Sequence, residues 1–525
     1  MEYRNLLFAL ALSAAMVPAY NVFAQGAQAG MTELVAGGTI VSLQEVGAKR
    51  MPAEIAPIEG TPFKMKTLKR PQFKSNNLSI AQTDVDSQGK ITEAINRKLK
   101  TLSKQGGGRL TIAAGHWLTG RVELQSNTEL HLDEGAVLEF SADIEDYQPA
   151  VFTRHEGIEV MGAGAFIYAN RAKNIALTGT GVVLGPPMDV EMRRLKNGNS
   201  VVEKDIDWRT PVAQRICDGH DGRTFYRPKS FAPIDCKNVL VEGVTFERSV
   251  LWNINPIYCE NVIIRGVTVN SVGTPSGDGI DISSCKNVLI EYSTLNCGDD
   301  CFTLKSGRAE DGLRVGKPTE NVVIRYCLAE KGHGGITCGS ETAAGIKNVY
   351  LHHCVFNGTR TGFRFKTRRN RGGGTWDVVY DNVRLIDVNE AFTWDLLGSK
   401  TYMGALAQRN PPLDVTPLTP TVKDILIKNF VVESADRMMG MNTIPEAPTT
   451  GIQLENGAVC TNRIFKTIND VQGLTLKNIT IQATDNQINI DNSRGIVFDN
   501  VTFFVPGNEL QYNVKGDKGE KPLIK

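Results

Sequence analysis

Four polar clusters follow one another in the middle of the chain: Ser276-Gly277-Asp278-Gly279-Ile280-Asp281, Gly298-Asp299-Asp300-Cys301, Gly332-His333-Gly334 and Arg364-Phe365-Lys366-Thr367. Asp278 and Asp299 are 21 residues apart, Asp300 and His333 are 33 apart, and His333 and Arg364 are 31 apart. Three carboxylates brought together suit the hydrolysis of a glycosidic bond, in which one acid protonates the leaving oxygen and another carboxylate activates water. Crowding would separate their pKa values, because close carboxylates cannot all ionise freely and one holds its proton to higher pH. Arg364 can grip an anionic group in bidentate fashion and Lys366 adds a compact charge. The stretch from Arg360 to Arg371 holds six basic residues and no acid. A lone Asp-Asp pair is ordinarily a turn or a calcium ligand, a lone His between glycines is structural, and a run such as Arg368-Arg369 is a wet surface. Joint order and coil-like spacing set these clusters apart.

The elements that must position them are repeats. KNVLVEGVTF starts at Lys237, ENVIIRGVTV at Glu260, KNVLIEYSTL at Lys286, ENVVIRYCLA at Glu320 and KNVYLHHCVF at Lys347, with looser copies from Lys173, Trp376, Lys423, Gly473 and Gly495. The intervals between Asn238, Asn261, Asn287, Asn321 and Asn348 are 23, 26, 34 and 27 residues. Each unit supplies two short alternating strands, at a period too short for a propeller blade and without a leucine-rich pattern. Such a chain winds into a parallel β-helix whose strands stack about 4.8 Å apart. A β-sandwich is the alternative, but it does not require the same unit at coil-like intervals. Residues at the same point of successive coils then form a row, so the four clusters converge on one groove, with a surface insertion between Gly307 and Pro318.

The expected organisation is an all-β chain with the β-helix over residues 77–525 and an irregular lead-in over 25–76, rich in proline and with one strand near Gly38–Leu43. Ile91, Ile95, Leu99 and Leu102 follow helical spacing before Gln105-Gly106-Gly107-Gly108, which predicts a short N-terminal helix capping one end. Residues 1–24 read as a signal peptide. Arg4 precedes an apolar run from Leu6 to Val17, and Val22-Phe23-Ala24 offers a cleavage site after Ala24. Twelve apolar residues fall short of the roughly 20 that span a bilayer, so no membrane span is expected and the protein is expected to be periplasmic or secreted.

Of the 525 residues 41% are apolar, and 58 Lys+Arg against 57 Asp+Glu leave a formal charge of +1. That balance argues against a nucleic acid or an anionic membrane as partner. Of the ten cysteines, Cys297 and Cys301 form C-x3-C without a matching His/Cys pair nearby, which argues against a zinc site, and Cys236, Cys259 and Cys285 recur beside the repeat as small buried hydrophobes.

The order SGDGID, GDDC, GHG, RFK resembles glycoside hydrolase family 28, the polygalacturonases, whose pattern is NTDG, a DD pair, GHG and RIK on a right-handed parallel β-helix. The resemblance runs from Ile91 to Phe504 and includes GGGRLTIAAGHWLTGRVELQSNTELHLDEGAVLEF after the cap helix. It implies hydrolysis of α-1,4-linked galacturonic acid chains with inversion, an acidic polysaccharide or oligosaccharide (galacturonan, pectin) as partner, and neither metal nor other cofactor. A monomer is expected. Carried over by position, Asp299 resembles the general acid, Asp278 and Asp300 the carboxylates that hold and deprotonate water, His333 the residue that maintains the acid's protonation, and Arg364 with Lys366 the pair that binds the substrate carboxylate. SVLWNINPIYCENV, from Ser249, is similar to the SPxWxxHP segment of exo-acting bacterial members. Trp252 and Asn255 are therefore expected to contact the sugar, Asn255 standing where His is usual, although Trp252 suits plain packing as well. Ser276-Gly277 replaces the usual Asn-Thr and leaves the substrate open. The alternatives are a hydrolase of rhamnogalacturonan or substituted galacturonan, and a pectate lyase-like β-eliminase. Asp299-Asp300 favours a galacturonide, because relatives that cut the rhamnogalacturonan backbone tend to carry Glu there.

Overall fold

In the computed structural model, residues 40–195 and 202–525 are described, so the signal-peptide segment and the start of the lead-in lie outside the described residues. The repeats form a stack of parallel strands. Lys237–Glu242, Glu260–Arg265, Lys286–Glu291, Thr319–Arg325 and Ile346–Asn357 pair in register, so Val239, Val262, Val288, Val322 and Val349 form one row. Val241, Ile264, Ile290, Ile324 and Leu351 form the next inward row. All ten side chains are buried, and burying each is worth about 1.5–3 kcal/mol. The stack continues in parallel pairing from Asn77–Ile80 at one end to Leu523–Ile524 at the other. The fold is the parallel β-helix that the repeats predict.

The recurring Asn of each repeat has its own reason. Asn238, Asn261, Asn287, Asn321 and Asn348 have φ of +56°, +59°, +57°, +58° and +54°, the left-handed region that Asn tolerates better than other side chains. Each amide donates to the Asn one coil earlier: Asn261 to Asn238 at 3.1 Å, Asn287 to Asn261 at 3.2 Å, Asn321 to Asn287 at 3.1 Å and Asn348 to Asn321 at 3.0 Å. The residue that turns the chain thus also links neighbouring coils.

A third face of the solenoid carries the polar clusters. Ile280–Ser283, Phe302–Lys305 and the end of Leu328–Gly339 pair in parallel, followed by Thr359–Lys366 and Val388–Asp395. Ile280, Phe302, Ile336, Phe363 and Phe392 share one inward row, and Ile282, Leu304, Cys338, Phe365 and Trp394 share another. Strand alternation then turns Asp281, Thr303, Thr337 and Arg364 to the opposite side, and likewise Ser283, Lys305, Gly339 and Lys366.

The cap helix spans Thr92–Lys104 and buries Ala94, Ile95, Leu99 and Leu102, as its periodicity predicts. Gly107, beyond the Gln105 cap, has φ +116°, and an added Cβ there would meet the Asn127 carbonyl oxygen at 2.5 Å. The insertion after Gly307 is a short helix, Ala309–Val315. The lead-in differs from expectation. Residues 41–43 form no strand, and the segment runs as a strap along the outside of the repeat stack. Ile58 and Leu68 pack on Ala176, Leu240, Ile263, Leu289 and Val323, outward apolar residues that water would otherwise reach. Beneath the strap, Arg265 and Arg325 flank Glu291 at 2.7 Å each, and their guanidiniums donate to the carbonyls of Pro52, Pro57 and Ala56.

Candidate active site

Asp278 and Asp299 with Asp300 lie in the turns that lead into the third-face strands, His333 lies within the strand Leu328–Gly339, and these segments are hydrogen-bonded to one another. Gly279 N–H donates to Asp300 O at 3.0 Å, Cys301 N–H to Gly334 O at 2.8 Å and His333 N–H to Asp299 O at 2.8 Å. Coil stacking therefore brings these residues together, and Arg364 and Lys366 join them from Thr359–Lys366, the strand paired with that of His333. Arg364 Nη1 lies 3.4 Å from Asp300 Oδ1 and Lys366 Nζ 3.9 Å from Asp300 Oδ2. His333 Nδ1 lies 3.1 Å from Asp299 Oδ1.

The three catalytic candidates differ in environment. The side chains of Asp278 and Asp300 are 5% and 2% exposed, whereas that of Asp299 is 28% exposed. Burial, reinforced by the carboxylates of Asp281 and Asp299, pushes Asp278 well above the ordinary carboxylate range. Burial acts upward on Asp300 as well, but Lys366, Arg364 and Lys305 outweigh it and hold Asp300 below that range. Crowding does separate the group, as the sequence predicts, and the carboxyl driven toward its protonated form is Asp278. His333 is raised above the ordinary imidazole value, first by its hydrogen bond to Asp299 and further by the charges of Asp299 and Asp300, against the opposing effect of burial.

The other two expected contacts stand differently. Trp252 is 5% exposed, with the Lys305 ammonium 4.5 Å from its ring centroid. Asn255 is fully buried, and its amide donates to Asp281 O at 2.8 Å and Ser283 Oγ at 3.0 Å. Its donors hold the strand behind the groove, so the expectation that it touches sugar is corrected to a supporting position. The basic run is not a wet surface either. Arg369 is buried against Glu446 at 2.6 Å, and Arg371 is buried and pairs with Glu203 at 2.9 Å.

Ser276-Gly277 has a local explanation. Gly277 N–H donates to Thr274 O at 3.0 Å and its carbonyl accepts from Ser271 Oγ at 2.7 Å. A Cβ there would sit 2.8 Å from Thr274 O. The tight turn leaves no room for a side chain at position 277.

Two charged residues beside the cluster, Lys305 and Glu341, escaped the sequence reading, and Asp281 stood in the first cluster without a role. Lys305 lies 3.7 Å from Asp278, 3.4 Å from Asp281 and 3.4 Å from Glu341. Asp281, pushed up to about 6 mainly by burial, is also hydrogen-bonded by Thr303. The signal that could have found Lys305 is register: it occupies the same alternate-strand position as Lys366, two coils earlier. Beyond His333 and Arg364 the groove continues as a cleft of about 280 Å³ lined by Arg360, Glu390, Asp395, Asn442 and Lys466.

Comparison with known proteins agrees with this geometry. A family profile described as Glycosyl hydrolases family 28 matches residues 213–396, the segment that contains every candidate residue. The chain is 28% identical over 400 residues to a probable polygalacturonase of Vitis vinifera, covering 74% of this chain and 76% of that one. It is 24% identical over 354 residues to an exo-poly-alpha-D-galacturonosidase of Dickeya chrysanthemi, spanning 63% of this chain and 57% of that protein. Among solved structures, an exopolygalacturonase from Thermotoga maritima superposes with a TM-score of 0.68 at 28% identity, covering 83% of this chain and 93% of that one. In its coil-borne clusters, its parallel β-helix and these relatives, the chain is similar to glycoside hydrolase family 28, whose profile matches residues 213–396.

Proposed function

We propose that this hydrolase cleaves α-1,4-galacturonosidic bonds of polygalacturonate or its oligosaccharides, releasing product of inverted configuration. The observation that carries the reading is the pair Arg364 and Lys366, cations at alternate positions of one strand beside three carboxylates. A neutral sugar would not need them, whereas a uronate supplies the carboxylate that Arg grips and Lys attracts. Asp299, the most exposed of the three acids, gives its proton to the glycosidic oxygen as the bond to the anomeric carbon breaks. Asp278 and Asp300 orient water on the other face and take its proton as the new carbon–oxygen bond forms. His333, hydrogen-bonded to Asp299, keeps the shared proton in that pair. No metal or other cofactor takes part in this scheme.

Exo action is the finer reading. Glu156 and Glu203, on segments outside the coil stack, pair with Arg308 at 2.9 and 2.7 Å, and Glu203 also pairs with Arg371. Arg308 and Arg371 follow Lys305 and Lys366 closely in the chain, which supports a groove walled on that side. The protein is further proposed to be exported after cleavage behind Ala24 and to act as a monomer, testable by N-terminal sequencing of the mature chain and by light scattering. Digestion of polygalacturonate with product sizing tests the main reading. Mono- or digalacturonate from the start indicates exo action, a ladder of oligomers indicates endo action, and unsaturated products would establish a β-eliminase instead. Release only from rhamnogalacturonan or a substituted galacturonan would assign the alternative substrate.

A further inference from the structure

Lys305 makes none of the substrate contacts proposed above, yet it is the common partner of a buried acidic cluster. Its ammonium lies 3.7 Å from Asp278 Oδ2, 3.4 Å from Asp281 Oδ1 and 3.4 Å from Glu341 Oε2, with the Trp252 ring centroid 4.5 Å away. Lys305, Asp278, Asp281 and Glu341 are all at most 6% exposed. Asp281 Oδ2 and Glu341 Oε2 accept no hydrogen bond. Buried carboxylates without a compensating cation are costly, and within this cluster the compensation falls first on Lys305.

We propose that Lys305 is a positioning residue for the hydrolysis, its ammonium acting as the hub that fixes the Asp278 carboxylate beside Asp299 and Asp300. The inference rests on the proposed role of Asp278 in holding and deprotonating water. Its elements are rigid. Lys305 ends the strand Phe302–Lys305, whose backbone is held on both sides: Lys305 O accepts from Ser284 N–H at 2.8 Å and from Thr319 Oγ1 at 2.6 Å. Asp278 is held from the other side, its carbonyl accepting from Asn253 N–H at 3.0 Å and Asn253 Nδ2 at 2.8 Å. The two side chains therefore meet from fixed backbones.

The electrostatic sign agrees. The charged groups that face Lys305 are Asp278, Asp281, Glu341 and Asp300, which together hold it well above the ordinary lysine value against burial. Reciprocally, Lys305 pulls Asp278 downward against burial, Asp281, Asp299 and Asp300. Glu341 is further balanced by Arg308 and Lys366. Without the ammonium, Asp278 keeps its proton to still higher pH and cannot accept one from water until that pH is reached.

The test compares Lys305→Met, Lys305→Gln and Lys305→Arg with the wild type and with Asp278→Asn and Asp299→Asn, by full pH profiles of kcat/KM on oligogalacturonates. Lys305→Met and Lys305→Gln are expected to shift the acid limb upward by about one pH unit or more and to recover part of their activity above it. Lys305→Arg, which keeps the charge, is expected to leave the limb in place while lowering kcat. Should Lys305→Met fail to fold, Lys305→Gln, with its retained N–H donors, carries the comparison. A uniform loss at every pH with an unmoved limb in the charge-removing variants overturns the inference. Wild-type activity in Asp299→Asn or Asp278→Asn would overturn the underlying catalytic reading instead.

Discussion

Asp299 and His333 meet twice, through the His333 N–H to the Asp299 carbonyl at 2.8 Å and through Nδ1 to Oδ1 at 3.1 Å. Backbone and side chain of two successive coils are thus fixed together at the most exposed of the three acids. Replacing Asp299 by Asn keeps the backbone bond and removes only the ionisable group. Asp299→Asn is expected to lower kcat by a factor of about 10² or more with an unchanged melting temperature, the usual scale for a general acid. The same variant removes the leading cause of the raised His333 value. In the wild type His333 keeps its charge to a pH above the ordinary imidazole range and loses it as pH climbs past that point. In Asp299→Asn the imidazole signal followed by NMR is expected to titrate at lower pH. An unmoved titration would show that the pair is not coupled.

In the proposed scheme Asp278 gives up its proton before it receives one from water, and its raised value places that event above the ordinary carboxylate range. The acid limb of kcat/KM is accordingly expected above about pH 4. Asp281, three residues on, is the leading neighbouring charge that raises Asp278. Asp281→Asn removes that repulsion, so the acid limb is expected to move to lower pH, opposite in sign to the loss of Lys305. Profiles measured between pH 3 and pH 7 decide this; a limb that moves upward would mean that another group controls it.

Arg364 and Lys366 stand at alternate positions on one strand, and both face Asp300. In the free enzyme they hold Asp300 ionised; in the complex they are proposed to bind the uronate. Arg364→Ala and Lys366→Ala are each expected to raise KM for oligogalacturonates by about tenfold or more, the cost of one charge-assisted contact. Hydrolysis of a neutral galactoside at the wild-type rate with galacturonate would contradict the carboxylate clamp.

Much of the fold could be read from the sequence because a solenoid writes its period into the chain. The KNV-type units predict the stack, the Asn interval predicts the coil length, and the spacing from Asp278 to Lys366 predicts the candidate cluster on one face. What stayed hidden depends on register or on distant partners. Lys305 aligns with Lys366 only when coils are stacked residue by residue, and nothing near Asn255 in sequence says that its amide is bound from the next coil. Arg369 and Arg371 look like a surface run because Glu446 and Glu203, which bury them, lie 77 and 168 residues away. The lead-in carries no periodicity, since a strap takes its shape from the face it crosses.

That strap depends on a buried charge pattern. Glu291 is fully buried between Arg265 and Arg325, whose remaining donors reach carbonyls of the strap at Pro52, Ala56 and Pro57. Removing the shared carboxylate leaves the buried Arg325 guanidinium without its anion and Arg265 with only Glu242 at 3.4 Å, and breaking a buried pair typically costs about 3–5 kcal/mol. Glu291→Ala is therefore expected to lower the denaturation midpoint markedly and to loosen the strap, since both its anchors lose their fixed orientation. Limited proteolysis should then cut between residues 45 and 73 faster than in the wild type. The candidate cluster lies on a different strand face, so the proposed oligogalacturonate hydrolysis by the still-folded fraction should be unchanged. An unaltered midpoint and cleavage rate would show that apolar packing by Ile58 and Leu68 alone holds the strap.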